Sequence, residues 1–197
     1  AALHVGYSSA GTLEFLRAPD GQLHFMEMNT RLQVEHPVSE LVSGLDIAVL
    51  QIQIAAKERL GMCQDDVELR GHALELRINA EDPERNFQPS PGTLRTFEFP
   101  RNLGPGTLRV DTHLVAGDTV PPHYDSLLAK VIAHAETRAL AIETLVRALS
   151  AARIEGLATT IPLHLAVLAS EPFRTGHYDT SAIPGWPPAR ATAGAKP

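Results

Sequence analysis

Thr12-Leu13-Glu14-Phe15-Leu16-Arg17-Ala18-Pro19-Asp20-Gly21-Gln22-Leu23-His24-Phe25-Met26-Glu27-Met28-Asn29 holds two short apolar runs, Thr12 to Leu16 and Leu23 to Met28, on either side of a Pro-Asp-Gly turn. Proline presets the backbone for the start of a turn and glycine accepts its left-handed position, so the stretch reads as a β-hairpin. Pairing Ala18 with Leu23 sets Leu16 opposite Phe25, Glu14 opposite Glu27 and Thr12 opposite Asn29. Like charges directly across an antiparallel ladder repel. Two readings fit: a proton or cation lies between the glutamates, or both face solvent. Strand alternation puts Glu27 and Asn29 on one face. In the first reading the donors are hard oxygens, which suit Mg²⁺ or Mn²⁺ bound partly through substrate phosphates and do not suit zinc.

Outward from the hairpin, Asn29-Thr30-Arg31-Leu32-Gln33-Val34-Glu35-His36-Pro37 is a dense polar loop. Arg31 offers a planar fork of donors, Gln33 an amide, and Glu35 a carboxylate able to take a proton. The loop reads as an anion pocket with a base or as a solvated surface. A helical pattern starts near Pro37, breaks at Gly44, resumes from Asp46 with Ile47, Leu50 and Ile54 on one face, and ends near Leu60-Gly61. Gly71 to Asn79 alternates strictly, with His72, Leu74, Leu76 and Ile78 on one side and Ala73, Glu75, Arg77 and Asn79 on the other. That is a half-buried strand. Arg77 on its polar face is either a functional cation or a structural partner of Glu75 or another element.

Three β-type runs follow, Thr93 to Phe99, Leu108 to Leu114 and Leu127 to Ala135, the third also compatible with a helix. A long helix spans Thr137 to Ile154 and stops at Glu155-Gly156, and Thr160 caps another with Pro162 in its first turn. Strands and helices mix without βαβ regularity, which indicates an α+β fold in preference to a doubly wound sheet. From Ile183 onward prolines, glycines and alanines read as a tail or linker.

The 197 residues are 44% hydrophobic and 20% charged, an ordinary globular composition that excludes disordered, collagenous and disulfide-stapled classes. A single cysteine, Cys63, forms no internal bridge and reads as an unreactive thiol, and no apolar run has the length of a bilayer span. With no secretory leader in view, a cytoplasmic location is expected. The net charge of −6 argues against general attraction to nucleic acid or an anionic membrane. The nine histidines lack zinc spacing; His36 is expected to orient its loop, and Trp186 to face solvent. The chain begins at Ala1 and runs within a few residues into a strand pattern, so a fragment of a longer protein is expected.

Taken together, Gly11 to Phe15, Phe25 to Pro37 and Gly71-His72-Ala73-Leu74-Glu75-Leu76-Arg77-Ile78-Asn79-Ala80-Glu81-Asp82-Pro83 closely resemble the biotin carboxylase family. The resemblance continues through Pro89-Ser90-Pro91-Gly92, Arg109-Val110-Asp111-Thr112 and Tyr124-Asp125-Ser126-Leu127-Leu128-Ala129-Lys130 to about Thr180. It implies the C-terminal part of an ATP-grasp domain over residues 1–60, the biotin carboxylase C-terminal domain, a mixed sheet with helices, over 61–182, and a tail over 183–197. In that family ATP phosphorylates bicarbonate to carboxyphosphate, which yields CO₂ for a ureido nitrogen of carrier-bound biotin.

By resemblance Glu14, Glu27 and Asn29 hold the Mg²⁺ or Mn²⁺ that bridges the ATP phosphates. Arg31, Gln33 and the Val34 backbone hold bicarbonate, Glu35 is the base, Arg77 stabilises carboxyphosphate and the biotin enolate, and Leu16 lines the adenine pocket. The implied partners are a biotin carboxyl carrier protein, a carboxyltransferase and, in the intact enzyme, a second copy. The family's phosphate lid and nucleotide-gripping lysines precede the segment present here, so the chain alone is expected to be inactive. Pyruvate and urea carboxylases share these motifs, and a non-catalytic dimerisation or docking module is the reading from another class.

Overall fold

The computed structural model describes residues 2–101, 104–179 and 181–187. The chain divides into two compact units, residues 1–70 and 71–197.

In the first unit β1 (Thr12–Arg17) and β2 (Leu23–Asn29) form an antiparallel hairpin. Its turn closes through Ala18 N donating to Gln22 O at 2.8 Å and Gln22 N donating to Asp20 Oδ1 at 3.0 Å, with Gly21 at φ +88°. Thr12 faces Asn29 and Glu14 faces Glu27, as the sequence predicts. A bulge between Glu14 and Phe15 then shifts the register, so Leu16 faces His24, and not Phe25 as expected. The extra residue brings Phe15 opposite Phe25, whose rings meet edge to face with centroids 5.8 Å apart.

α1 (His36–Ser43) begins with Pro37 in its first turn and ends at left-handed Gly44, whose N–H donates to Glu40 O. α2 (Ile47–Ala55) is capped by Asp46, which accepts from Val49 N at 2.8 Å. The helix ends at Ala55, short of the expected Leu60-Gly61. Lys57 at φ +63° closes it, with Lys57 N donating to Ile54 O and Glu58 N to Gln53 O. Beyond Ile54 the sequence Ala55 to Leu60 is exposed and has no apolar face to bury.

The second unit contains β3 (His72–Asn79), β4 (Glu81–Asp82), β5 (Gln88–Pro89), β6 (Gly92–Thr93), β7 (Thr96–Glu98), β8 (Thr107–Asp111), β9 (Thr119–Val120), β10 (Leu127–Ala135), α3 (Arg138–Ala151), β11 (Arg153–Glu155), α4 (Ile161–Ala169) and α5 (Glu171–Thr175). Its main sheet is antiparallel in the order β3-β10-β8. α3, whose N-terminal Thr137 accepts from Leu140 N, contributes Ile142, Leu145 and Leu149 to a core shared with Ile78, Leu128, Val131 and Ala133. Leu74 and Leu76 pack against that core as the alternation predicts, while His72 is exposed.

Leu127 to Ala135 is a strand, and it lies in the middle of the sheet with both faces largely covered. A strand buried on both faces need not alternate, which is why a helix also fitted its pattern. Three boundaries differ from expectation. The run Thr93 to Phe99 splits around fully buried Leu94, β6 pairing with β9 and β7 with β11. The strand expected from Leu108 to Leu114 ends at Asp111. Arg153 and Ile154 leave the helix to form β11, whose ladder with β7 supplies their backbone partners. Gly156 follows at φ +115°, where a Cβ would run into the Thr93 carbonyl.

Residues 181–187 are less tail-like than the composition suggests. Gly185 lies against the Ala166 carbonyl of α4, and Trp186 is half-buried with its ring 6.2 Å from Phe87, correcting the expectation of solvent exposure. Residues 188–197 of the expected tail lie outside the described residues. Among the described residues no single helix is long and apolar enough to cross a membrane.

Leu145 is fully buried. Replacing it with alanine is expected to lower the stability of the second unit by about 2–5 kcal/mol. Urea denaturation followed by fluorescence of Trp186, the one tryptophan, checks this.

Candidate active site

The hairpin and the loop after it bring four sequence-predicted residues together. Asn29 Nδ2 donates to Glu14 Oε1 at 2.8 Å and to Glu27 Oε1 at 3.2 Å, and Gln33 Nε2 donates to Glu14 Oε1 at 3.3 Å. The amide nitrogen thus lies where a cation between the carboxylates would relieve their repulsion. Turning the amide over presents its oxygen beside theirs, which makes a set of three hard oxygens. The residues present fit Mg²⁺ or Mn²⁺ on donor chemistry.

Next to this cluster is a small cleft of about 210 Å³ lined by Arg31, Gln33, Glu35, His36 and Ser39. Arg31 is exposed, with Nη1 donating to Leu32 O at 3.3 Å. Glu35 stands at the N-terminus of α1, where its side chain caps no backbone group. His36 orients the loop, its Nδ1 lying 2.7 Å from Gln33 O and its Nε2 4.0 Å from Glu40. Buried Glu40 accepts from Ile47 N at 2.8 Å and so fastens α1 to the start of α2. A cation, an amide and a carboxylate on one cleft can bind a small planar anion and accept its proton. Val34 has an exposed side chain, and Leu16 is exposed on the hairpin opposite His24.

Arg77 belongs to the second unit. Residues paired across an antiparallel ladder share a face, so Arg77, Lys130 and Asp111 form one row across β3, β10 and β8, with Glu75, Ile132 and Arg109 in the next. Arg109 grips Asp111 with two bonds of 2.8 Å, and Lys130 Nζ lies 3.4 Å from the same carboxylate. Burial alone would raise the Asp111 carboxyl, but the Arg109 bonds and the charges of Arg109 and Lys130 outweigh it and hold it below its ordinary value. Burial also pushes the His164 imidazole below its usual range, opposed by its bond to the Arg77 carbonyl.

A larger cavity of about 640 Å³ lies against Asp111, Tyr124, Asp125 and Lys130. Asp125 there accepts from Leu127 N at 2.8 Å and sets the entry to β10. The Lys130 and Asp111 pairing was not readable from spacing, because it depends on which strand lies beside which. Ser39 and His36 as cleft walls follow from the turn into α1, which places them over the loop.

The hairpin of paired carboxylates leads through an Arg-Gln-Glu loop into a helix, and residues 1–63, which hold it, match the family described as "Carbamoyl-phosphate synthase L chain, ATP binding domain", the C-terminal part of an ATP-grasp domain. Residues 75–185 match the Biotin carboxylase C-terminal domain, and the chain belongs to the biotin carboxylase family. It is 49% identical over 183 residues to a biotin carboxylase of Nostoc sp., covering 93% of this chain and 40% of that protein. It is also 49% identical over 184 residues to biotin carboxylase 1 of Bacillus subtilis, with the same coverage. The chain therefore spans about 40% of the length of the curated relatives it matches. The crystal structure of the biotin carboxylase domain dimer of Hydrogenobacter thermophilus 2-oxoglutarate carboxylase, in complex with MgADP, ADP and bicarbonate, is similar with a TM-score of 0.86 at 44% identity, covering 91% of this chain and 39% of that one. Kluyveromyces lactis urea carboxylase is similar with a TM-score of 0.85 at 35% identity, covering 92% and 16%.

The lowered Asp111 carboxyl gives a pH prediction with a definite sign. A group whose folded value lies below its unfolded value of 3.8 contributes stability that is fully present above 3.8 and is lost as pH falls through the folded value. Asp111→Asn is expected to destabilise the second unit at pH 7, and the gap from the wild type is expected to close on acidification below 3.8. Urea midpoints measured by Trp186 fluorescence across that range check it.

Proposed function

We propose that this chain is the C-terminal segment of a biotin carboxylase, an ATP-dependent ligase that carboxylates carrier-bound biotin with bicarbonate in the first half-reaction of an acyl-CoA carboxylase. The observation that carries the reading is the Glu14, Glu27 and Asn29 cluster beside the cleft of Arg31, Gln33 and Glu35, in a chain of this family.

Glu14, Glu27 and the Asn29 amide oxygen would hold Mg²⁺ or Mn²⁺, which would supply positive charge to the ATP phosphates. The Arg31 fork and the Gln33 amide orient bicarbonate, with the Val34 backbone as a further donor. Glu35 takes the bicarbonate proton, so that its oxygen is a competent nucleophile toward the terminal phosphoryl group. Arg77 offsets the charge of carboxyphosphate and of the biotin enolate oxygen, where a preorganised guanidinium acts without reorganisation. Leu16 supplies apolar contact to adenine. The enzyme works in the cytoplasm as a homodimer and passes carboxybiotin, through a biotin carrier protein, to a carboxyltransferase.

The complete polypeptide carrying this sequence is expected to show bicarbonate-dependent ATP hydrolysis and to fix labelled bicarbonate into free biotin. Glu35→Gln is expected to reduce both by at least about 100-fold. A full-length protein that binds nucleotide but fixes no bicarbonate overturns the reading in favour of a docking module.

The metal cluster yields a prediction of opposite signs. Glu27→Gln removes one of two facing charges, so in EDTA it is expected to raise the melting temperature of the 197-residue chain. The same change is expected to weaken Mn²⁺ binding by at least about tenfold, the scale on which even outer-shell partners act. Thermal melts in EDTA and a Mn²⁺ titration by electron paramagnetic resonance test both.

A further inference from the structure

Among the described residues β3 is an edge strand: β10 pairs with one side of it, and no strand lies on the other. In an antiparallel ladder the N–H and C=O of one residue point to the same side, so alternate residues turn both groups away from the partner strand. At the Arg77 end of β3 those outward groups meet the start of α4. Asn79 N donates to Thr160 Oγ1 at 3.0 Å, Thr160 N donates to Asn79 O at 3.1 Å, and Thr160 Oγ1 donates to Arg77 O at 3.3 Å. One turn further on, His164 Nε2 lies 2.9 Å from the same Arg77 carbonyl. A carbonyl only accepts, so Nε2 carries the proton.

Thr160 occupies the position that caps α4, and the sequence predicts a capping hydroxyl there. The hydroxyl makes no capping bond and is spent on β3 instead. Thr160 itself is 5% exposed. A capping side chain diverted from its own helix to another element, joined by a half-buried imidazole on the same carbonyl, forms a clamp on the backbone that carries Arg77.

We infer that Thr160 and His164 are positioning residues that fix the β3 backbone at Arg77 and thereby hold its guanidinium where the reaction uses it. The inference rests on the role proposed for Arg77. The two side chains act only through that backbone.

The test has two arms. In the 197-residue chain, nitrogen-15 spectra of the His164 ring are expected to show a protonated Nε2 and a bare Nδ1. His164→Leu is expected to speed hydrogen exchange at the Asn79 amide and to increase the mobility of the Arg77 Nε, and His164→Gln, which keeps an N–H donor, is expected to restore both. In the complete polypeptide, His164→Leu is expected to lower kcat about tenfold with KM for ATP within about twofold, and His164→Gln to recover most of it.

Equal losses from His164→Leu and His164→Gln, or unchanged Arg77 mobility in His164→Leu, overturn the clamp. Thr160→Val guards against a variant that fails to fold, since it removes the other side-chain bond to the Arg77 carbonyl, along with the acceptor of the Asn79 N–H, and is expected to act in the same direction. A wild type with ordered Arg77 but no carboxylation overturns the proposed function and with it the catalytic part of the inference. Loss of Arg77 order on clamp removal would still establish the clamp itself.

Discussion

Glu14 and Glu27 repel each other across the antiparallel pair, and the local structure of the first unit places hydrogen-bonding groups between them. The Asn29 amide bridges them, and Gln33 reaches back from the loop to add a second donor to Glu14. Reaching back fixes the course of the loop. It turns directly into α1, so that Arg31 and Glu35 come onto one cleft with Gln33. The bulge after Glu14 lets the turn end of the hairpin take a different register without disturbing the acidic end. Repulsion between the two carboxylates is thus retained and held in check by amide groups.

The second unit solves a different problem. β10 is buried on both faces, apolar Val131 and Ala133 toward α3 and Ile132 on the side that carries Arg77, Lys130, Arg109 and Asp111. Lys130, at 13% side-chain exposure, lies 3.4 Å from Asp111, and Asp111 is itself held by the Arg109 fork. Breaking such a set from one end leaves a partly desolvated charge without its partner, which costs more than the intact pair contributes. The same face therefore combines a fixed charge pattern with an apolar floor.

Much of this was legible in the sequence. Pro19-Asp20-Gly21 and the alternation on either side are enough to place Glu14 opposite Glu27, and Gly44 and Asp46 mark the break between the helices. The register near the turn was not, because the bulge after Glu14, which sets Phe15 against Phe25, is not encoded in the local alternation. Nor was the fate of Arg153 and Ile154, whose helical spacing loses to a ladder with a strand more than fifty residues earlier. Motif resemblance supplied roles for Arg31, Glu35 and Arg77 that pattern alone left open between function and surface. It gave none for Thr160 and His164, whose bonds run over 80 residues of separation.

Under the proposed function, a chain of net charge −6 would handle ATP, bicarbonate and carboxyphosphate, and so would have to concentrate positive potential locally. At physiological ionic strength charges are screened over about 8 Å, so acidic side chains elsewhere on the surface contribute little at a bound anion. What the anion meets is the nearest donor set. In the first unit that set is Arg31 and Gln33, joined in the proposed role by a cation that would take the place of the Asn29 amide nitrogen between Glu14 and Glu27. The two glutamates taken alone would repel the phosphates. In the proposed role a bound metal would reverse the sign of the site, which would make anion binding conditional on prior or simultaneous metal binding. Arg77 needs no such reversal, since its charge is permanent. What matters there is where the charge is held, and holding it is a task for the backbone of an edge strand and the residues that fasten that edge.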